Sequence, residues 1–135
     1  MTLRLSSQQQ RELLDLAKNA GDFECCGLLL GQGNVVEKIE LTANVAADPT
    51  IAFEIDAAAL ILAEKRARQG GPKILGYFHS HPNGNSGPSA KDLLSAAADG
   101  KIWLIIANGK ISGWVPVVGK GGSPKIFGAI SIVEG

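Results

Sequence analysis

The dipeptide Asn108-Gly109 limits the fold of this chain more than any other short segment, because it predicts both a turn and the register of two strands. It separates two apolar runs, residues 101–107 and 110–117. Asn-Gly favours the tight two-residue turn that most commonly joins a β-hairpin. With a turn of that length Trp103 faces Trp114, an aromatic cross-strand pair of the kind that stabilises sheets. An antiparallel hairpin is therefore predicted in the C-terminal part of the chain.

The rest of the chain alternates between strand and helix signals. Apolar runs bounded by Gly or Pro indicate strands, and apolar spacing behind Ser or Asp caps indicates helices. The predicted strands are residues 24–30, 35–41, 73–80 and 125–133, and the predicted helices are residues 8–19, 57–68 and 89–98. A chain of 135 residues fits one domain. We therefore expect a single α/β domain, residues 1–135, with a central mixed sheet flanked by helices.

Composition and charge argue against two classes of partner, nucleic acids and membranes. Hydrophobic residues form 45% of the chain and charged residues 19%, as in globular domains. Thirteen basic residues balance thirteen acidic ones, and the mixed charges of residues 64–68 fit the solvent-exposed face of a helix, so we expect no nucleic-acid partner. No apolar run approaches the ~18 residues that cross a bilayer, and the N-terminus does not resemble a signal peptide. No membrane association is expected.

The two cysteines, Cys25 and Cys26, are neighbours in a predicted strand. Adjacent strand residues point to opposite faces, so an internal disulfide is not expected. A reducing, cytoplasmic location follows as the expectation. Both thiols are predicted to pack in the core. The same alternation also places Cys26 on the same face of the strand as Glu24. A thiol beside the Glu24 carboxylate is therefore a second interpretation.

The strongest chemical signal is the pair His79 and His81, the only histidines of the chain. Residues two apart on a strand project to one side, so both imidazoles can reach one ion. Pro82 then ends the strand, and Asp92 follows on the first turn of the next predicted helix. Two imidazoles and one carboxylate are three protein ligands, the pattern of a catalytic zinc site with a fourth position for water.

Glu24 is the candidate proton carrier. It begins an otherwise apolar strand, where a carboxylate is costly without a task. A zinc ion lowers the pKa of water to about 7, and a separate carboxylate must then move the proton to the leaving group. The sequence therefore predicts a metal-dependent hydrolase.

Three segments together resemble the JAMM motif of the MPN-plus (JAB-type) zinc metalloproteases. They are residues 24–31, Glu-Cys-Cys-Gly-Leu-Leu-Leu-Gly; residues 79–82, His-Ser-His-Pro; and residues 88–92, Pro-Ser-Ala-Lys-Asp. Residues 48–56 are similar to the compact prokaryotic branch of the family. The resemblance extends from the first helix to the last hairpin.

The resemblance implies a cytidine-deaminase-like α/β sandwich that hydrolyses an amide or isopeptide bond. His79, His81 and Asp92 match the zinc ligands of the family. Glu24 matches its general acid/base, and Ser89 matches the residue that stabilises the oxyanion. The implied substrates are ubiquitin-like or sulfur-carrier proteins, cut after a C-terminal Gly-Gly to release cysteine or a trailing peptide.

Other interpretations of the same residues remain open at this point. Ser89 and Asp92 also fit the capping box of a helix start, and Glu24 also fits a solvated strand end. A non-catalytic or weakly catalytic MPN-type interaction module is the alternative function. A phosphoesterase would need more histidines, and a zinc deaminase a Cys-x-x-Cys pair, which this sequence lacks. The pattern leaves the oligomeric state undetermined.

Overall fold

The computed structural model describes residues 1–119, 121 and 125–135. The helices and strands follow in the order β1 (Thr2–Arg4), α1 (Ser7–Ala20), β2 (Cys26–Gln32), β3 (Val35–Thr42), α2 (Ala57–Arg68), β4 (Lys73–Ser80), α3 (Ala90–Ser95), β5 (Ile102–Ala107), β6 (Lys110–Val117) and β7 (Ile126–Val133). Within this described part, no helix has the length and apolar character needed to cross a membrane. The predicted mixed α/β architecture is confirmed.

The sheet closes on itself in the order β1-β3-β2-β4-β5-β6-β7. Most neighbours are antiparallel, but β4 and β5 run parallel, and α3 lies in the connection between them. The short strand β1 completes the ring, since it pairs in parallel with β7 on one side and with β3 on the other.

The sheet of the sandwich that the family resemblance implies closes like a barrel, and the cytidine-deaminase-like arrangement is not confirmed. The sequence did not predict β1, because three residues are too few to show a strand period. Its pairing depends on partners at Val35 and Ser131, far along the chain. Leu3 at the centre of β1 is fully buried, so this closure also completes the core.

The hairpin at Asn108-Gly109 has the predicted register. Trp103 of β5 lies opposite Trp114 of β6. The turn residues have φ angles of 52° and 72°, the positive values that this tight turn requires. The most local signal in the sequence thus determined the pairing of two full strands.

Two apolar clusters lie on opposite faces of the sheet. One lies under α1, which packs against β5 and β6; its buried members include Leu13, Phe78 and Leu104. The other lies under α2, which packs against β4, and it includes Cys26. Along β4 the side chains alternate between the two faces of the sheet. Tyr77 packs against the cluster under α2, and His79, two residues later, points to the same face.

Two predicted boundaries differ from the structure. Strand β2 begins at Cys26, because the backbone of Glu24 bonds to the loop after β3 and not to a strand. Helix α3 ends at Ser95, because Ala96 turns into extended backbone and its carbonyl accepts a hydrogen bond from Lys125 Nζ. Both differences arise from contacts with distant segments.

Gly76 of β4 lies beside Ile102 of β5, where a Cβ atom would overlap the main chain of the neighbouring strand. We expect Gly76→Ala to lower the free energy of unfolding by about 1–3 kcal/mol, because the backbone must shift to admit the methyl group. Chemical denaturation measures this loss. Gly128→Ala in β7 is the matched control, since its added Cβ would meet only an ordinary contact. Equal losses in the two variants would contradict the close-approach explanation.

Candidate metal centre

Strand β4 positions both histidines at its C-terminal end. His79 pairs with Cys26 of β2 and with Ile105 of β5, so it is held between two neighbouring strands. The His81 N–H donates to the Ile106 carbonyl at 3.0 Å and continues the same ladder. His79 is fully buried and His81 is 5% exposed. Both imidazoles therefore project from a rigid part of the sheet.

The first turn of α3 brings Asp92 to the histidines. The Asp92 N–H donates to Ser89 Oγ at 3.0 Å, and the Ser89 N–H donates to Asp92 Oδ2 at 2.9 Å. This is the capping box that was one interpretation of the sequence. It does not exclude the other, because the same carboxylate oxygen faces both imidazoles.

Three electron-donating atoms meet at this point. The Nε2 atoms of His79 and His81 are 3.0 Å apart, and Asp92 Oδ2 lies 3.1 Å from the first and 3.0 Å from the second. Ligands about 2.0–2.1 Å from a tetrahedral zinc ion are about 3.3 Å from one another, close to this spacing. Two imidazoles and a carboxylate are also the donor types of catalytic zinc sites. The residues present fit such an ion.

The protonation of His81 supports the same assignment. Its Nδ1–H donates to the Asn85 carbonyl at 2.8 Å, so a neutral ring presents the Nε2 lone pair towards Asp92 and His79. Hydrogen bonds of this kind, made by the ring nitrogen that does not face the ion, orient metal-binding histidines. Without a cation, the lone pair of a neutral His81 Nε2 would face Asp92 Oδ2 across 3.0 Å, an arrangement that a bound cation or a protonated His81 relieves.

The electrostatics of the metal-free chain follow from burial and these contacts. Burial lowers the pKa of His79, more than Asp92 can raise it. Burial alone would lower the pKa of His81, but Asp92, Asn85 and Glu24 together raise it. Burial would raise the pKa of Asp92, yet the two imidazoles and the Ser89 N–H hold it well below its usual range. Asp92 is therefore a carboxylate at neutral pH.

Glu24 lies beside this cluster. Its carboxylate and the ring nitrogens of His79 and His81 come within 4.8 Å of one another. The side chain is buried, and within the described part of the chain its Oε1 has no hydrogen-bond partner. Burial raises the pKa of Glu24 to about 7; Asp92 adds to the rise and His81 opposes it. A carboxyl group in this range can both accept and donate a proton.

A cavity of about 120 Å³ opens onto these groups. Glu24, His81 and Ser89 line one part of it, and the remaining lining residues are Thr50, Ile51, Pro82, Asn83 and Asn85. The structure thus brings all the side chains singled out in the sequence, Asp92 included, to one end of β4.

Aromatic packing around His79 is a feature that the sequence did not predict. Phe53 stacks on the imidazole at 4.1 Å between centroids with 20° between the planes, and Trp103 meets it edge-on at 5.7 Å. His79 Nδ1 is buried with no hydrogen-bond partner among the described residues. Packing against Phe53 and Trp103, and not a hydrogen bond from the other ring nitrogen, therefore orients this ring. In the sequence, the similarity of residues 48–56 to the family is the one indication that the segment containing Phe53 belongs near the site.

The cysteines pack in the core, as predicted. Both thiols are free. Cys26 is fully buried in the α2-side cluster, where Sγ lies 3.7 Å from Thr42 Oγ1, and burial raises its pKa to about 11. Cys25 packs against the α1-side cluster. Among the described residues, Glu24 groups with His79 and His81 as possible metal ligands, and the Cys26 thiol is not part of this group.

Fold and site together define a metal-dependent hydrolase, and comparison with known proteins shows that it is a metallopeptidase. The model of the family described as prokaryotic homologs of the JAB domain matches residues 6–117. The chain belongs to this family, and the resemblance seen in the sequence is confirmed.

Similar proteins support the assignment. The chain is 32% identical over 109 residues to a desampylase of Haloferax volcanii, covering 76% of this chain and 78% of the relative. It is 37% identical over 73 residues to a probable TtuB-protein conjugate cleaving protease of Thermus thermophilus, covering 54% and 49%. Among solved structures it resembles protein DSY2949 of Desulfitobacterium hafniense, with a TM-score of 0.75, 31% identity, and 100% and 94% of the two chains covered.

Proposed function

We propose that the domain of residues 1–135 is a zinc-dependent peptidase or isopeptidase of the JAMM type. It hydrolyses the amide bond after the C-terminal Gly-Gly of a ubiquitin-like or sulfur-carrier protein, releasing cysteine or a trailing peptide. The observation that carries the proposal is the mutual approach of His79, His81 and Asp92 beside the unpaired, buried carboxylate oxygen of Glu24. The names of the desampylase and of the conjugate-cleaving relative support a protein-conjugate substrate.

His79, His81 and Asp92 would hold the zinc ion through Nε2, Nε2 and Oδ2. When bound, the ion supplies Lewis acidity, which polarises a carbonyl and lowers the pKa of water. The protein's contribution is to fix the ligands before the ion arrives: strand pairing holds the histidines, and the capping box holds Asp92.

Glu24 moves the proton. Its Oε1, which has no partner among the described residues, is free to accept a hydrogen bond from the attacking water. The carboxylate takes the proton as the water adds to the carbonyl, and then gives it to the leaving nitrogen as the C–N bond breaks. Proton transfer of this kind contributes about 10²–10⁴-fold to a rate.

Ser89 stabilises the negative oxygen that forms on the substrate. Its Oγ accepts a hydrogen bond from the Asp92 N–H, which orients the hydroxyl group and leaves its proton to donate. Ser89 lines the same cavity as Glu24, so the proton carrier and this donor face one substrate position. A donor directed at the developing charge is worth more than one directed at the ground state.

The size of the cavity supports a substrate with small residues at the scissile bond. The cavity of about 120 Å³ beside Glu24 and Ser89 accommodates a residue without a side chain more readily than a branched one. Glycine has no side chain to place there, so a Gly-Gly terminus fits. A non-catalytic interaction module would have no need for a buried glutamate with an unpaired oxygen, and this favours catalysis over that alternative.

The test combines metal analysis with a cleavage panel. We expect protein purified without chelator to hold stoichiometric zinc and to cleave fusions in which a ubiquitin-like protein ending in Gly-Gly is joined to cysteine or to a short peptide. Fusions ending in Gly-Val are the matched controls, and we expect them to be cut at least about tenfold more slowly, because the small cavity excludes the added methyl groups.

Two results would contradict the proposal. Protein without zinc that still hydrolyses the fusions would exclude the metal-dependent mechanism. Protein that binds zinc and cleaves none of the Gly-Gly fusions would favour the interaction module.

A further inference from the structure

The side chain of Asn44, in the loop between β3 and α2, has every polar atom paired. Its Nδ2 donates to the Glu24 carbonyl at 2.8 Å and to the Ala52 carbonyl at 3.0 Å. Its Oδ1 accepts from the Ala46 N–H at 3.0 Å and from the Glu54 N–H at 3.1 Å. A half-buried amide with four main-chain partners fixes the relative positions of three segments.

One of these bonds holds the main chain of Glu24. The Glu24 N–H donates to the Pro49 carbonyl at 2.8 Å, while its carbonyl accepts from Asn44. Both main-chain polar groups of Glu24 are thus bonded to this one loop, and β2 begins only at Cys26. The direction of the Glu24 side chain depends on the loop and on Asn44 within it.

Two further bonds hold the peptide groups on either side of Phe53. The Ala52 carbonyl lies before it and the Glu54 N–H after it, and Asn44 bonds to both. Phe53 stacks on His79, whose Nδ1 lacks a hydrogen-bond partner among the described residues. The orientation of the His79 ring therefore depends on where Asn44 holds Phe53.

We propose that Asn44 is a positioning residue that couples Glu24 to the His79 ring, acting through its bond to Glu24 and through Phe53. The inference rests on the proposed function for its effect on turnover, but its geometric part concerns the chain alone. Asparagine suits the task because its amide supplies two donors and two acceptor lone pairs, whereas the carboxylate of aspartate has no donor.

The principal variant is Asn44→Asp, which keeps the size of the side chain and loses both donors. We expect kcat on Gly-Gly fusions at saturating zinc to fall by about 10–100-fold with KM little changed, as for the loss of other groups that orient a metal site. Asn34→Asp is the matched control, since Asn34 also donates from Nδ2 to a main-chain carbonyl, but at β1. It should leave kcat unchanged.

A double-mutant cycle with Glu24→Gln separates positioning from general loosening of the fold. If Asn44 acts through Glu24, Asn44→Asp lowers the residual rate of the Glu24→Gln protein by a smaller factor than it lowers the wild-type rate. Equal factors in both backgrounds would overturn this part of the proposal, since a purely structural role would be independent of Glu24.

The ring signals of His79 in the NMR spectrum of the metal-free protein provide a readout that does not depend on activity. Stacking on Phe53 shifts these signals upfield, so Asn44→Asp should move them downfield, as should Phe53→Leu, which removes the stacked ring. Unchanged signals in Asn44→Asp, beside shifted signals in Phe53→Leu, would overturn the coupling even if no substrate is ever cut.

Failure of the proposed function is distinguishable from failure of this inference. Wild-type protein inactive on every fusion would contradict the function, while the His79 signals would still decide the coupling. If Asn44→Asp does not fold, Asn44→Ser, which keeps one donor and one acceptor, is measured by the same two methods. Normal kcat and normal His79 signals in that variant would also overturn the proposal.

Discussion

Replacing Glu24 by Gln should reduce kcat by about 10²–10⁴-fold while the protein keeps its zinc. The amide has nearly the shape of the carboxylate but cannot take a proton from water and pass it on. His79, His81 and Asp92 do not depend on Glu24 for their mutual contacts, so their spacing should persist. Single-turnover cleavage of a Gly-Gly fusion measures the loss, and metal analysis of the same sample measures zinc.

The control for this variant is Glu54→Gln. Glu54 lies in the loop that passes the site, but its side chain is exposed, so we expect normal turnover and normal zinc content. Loss of zinc from Glu24→Gln would be the informative contrary result. The Glu24 carboxylate lies within 4.8 Å of the ring nitrogens, and such a loss would make it a ligand and not a proton carrier.

The stability of the Glu24→Gln protein provides a further check on its environment. A buried carboxylate oxygen without a partner is unfavourable, and replacing it with a neutral group removes part of that penalty. We therefore expect the metal-free variant to unfold at an equal or higher denaturant concentration than the wild type. Activity would then have been lost without loss of the fold.

Much of the fold could be predicted because its signals are local. Asn108-Gly109 determines a turn by its backbone preference, and the turn determines that Trp103 lies opposite Trp114. The pair His79 and His81 could be placed at a strand end, because the two-residue period of a strand is visible in the sequence itself. Ser89 is another local signal, because serine favours the N-cap position and so predicts the start of the helix that carries Asp92.

What could not be predicted depends on segments that are distant in sequence. The pairing of β1 with β7 closes the barrel, yet three residues give no period to recognise. The contact of Phe53 with His79 joins a loop to a strand, and nothing in the loop indicates which ring it will cover. Asn44 is a similar case, since an asparagine after a strand usually indicates only a turn.

Asp92→Asn separates the two interpretations that the sequence left open for this residue. Asp92 is the third residue of α3, and an asparagine there can still accept a hydrogen bond from the Ser89 N–H through its amide oxygen, as the N3 residue of a capping box does. The asparagine side chain has no negative charge to face the two imidazoles. It also has only one oxygen, so the lone pairs of the second carboxylate oxygen are lost. Helix α3 should therefore survive while the ligand set is damaged.

We expect Asp92→Asn to lose zinc during purification and to retain less than about one hundredth of wild-type turnover, because the Lewis acid contributes several kcal/mol to the reaction. With chelator present, the variant should still fold but with a lower free energy of unfolding than the wild type, because the contacts of the negative charge with both imidazoles are lost. Asp56→Asn is the matched control. Asp56 caps α2 by accepting from the Ala58 N–H, away from the imidazoles, so that variant should keep zinc and activity. Stoichiometric zinc and full turnover in Asp92→Asn would reduce Asp92 to a helix-capping residue.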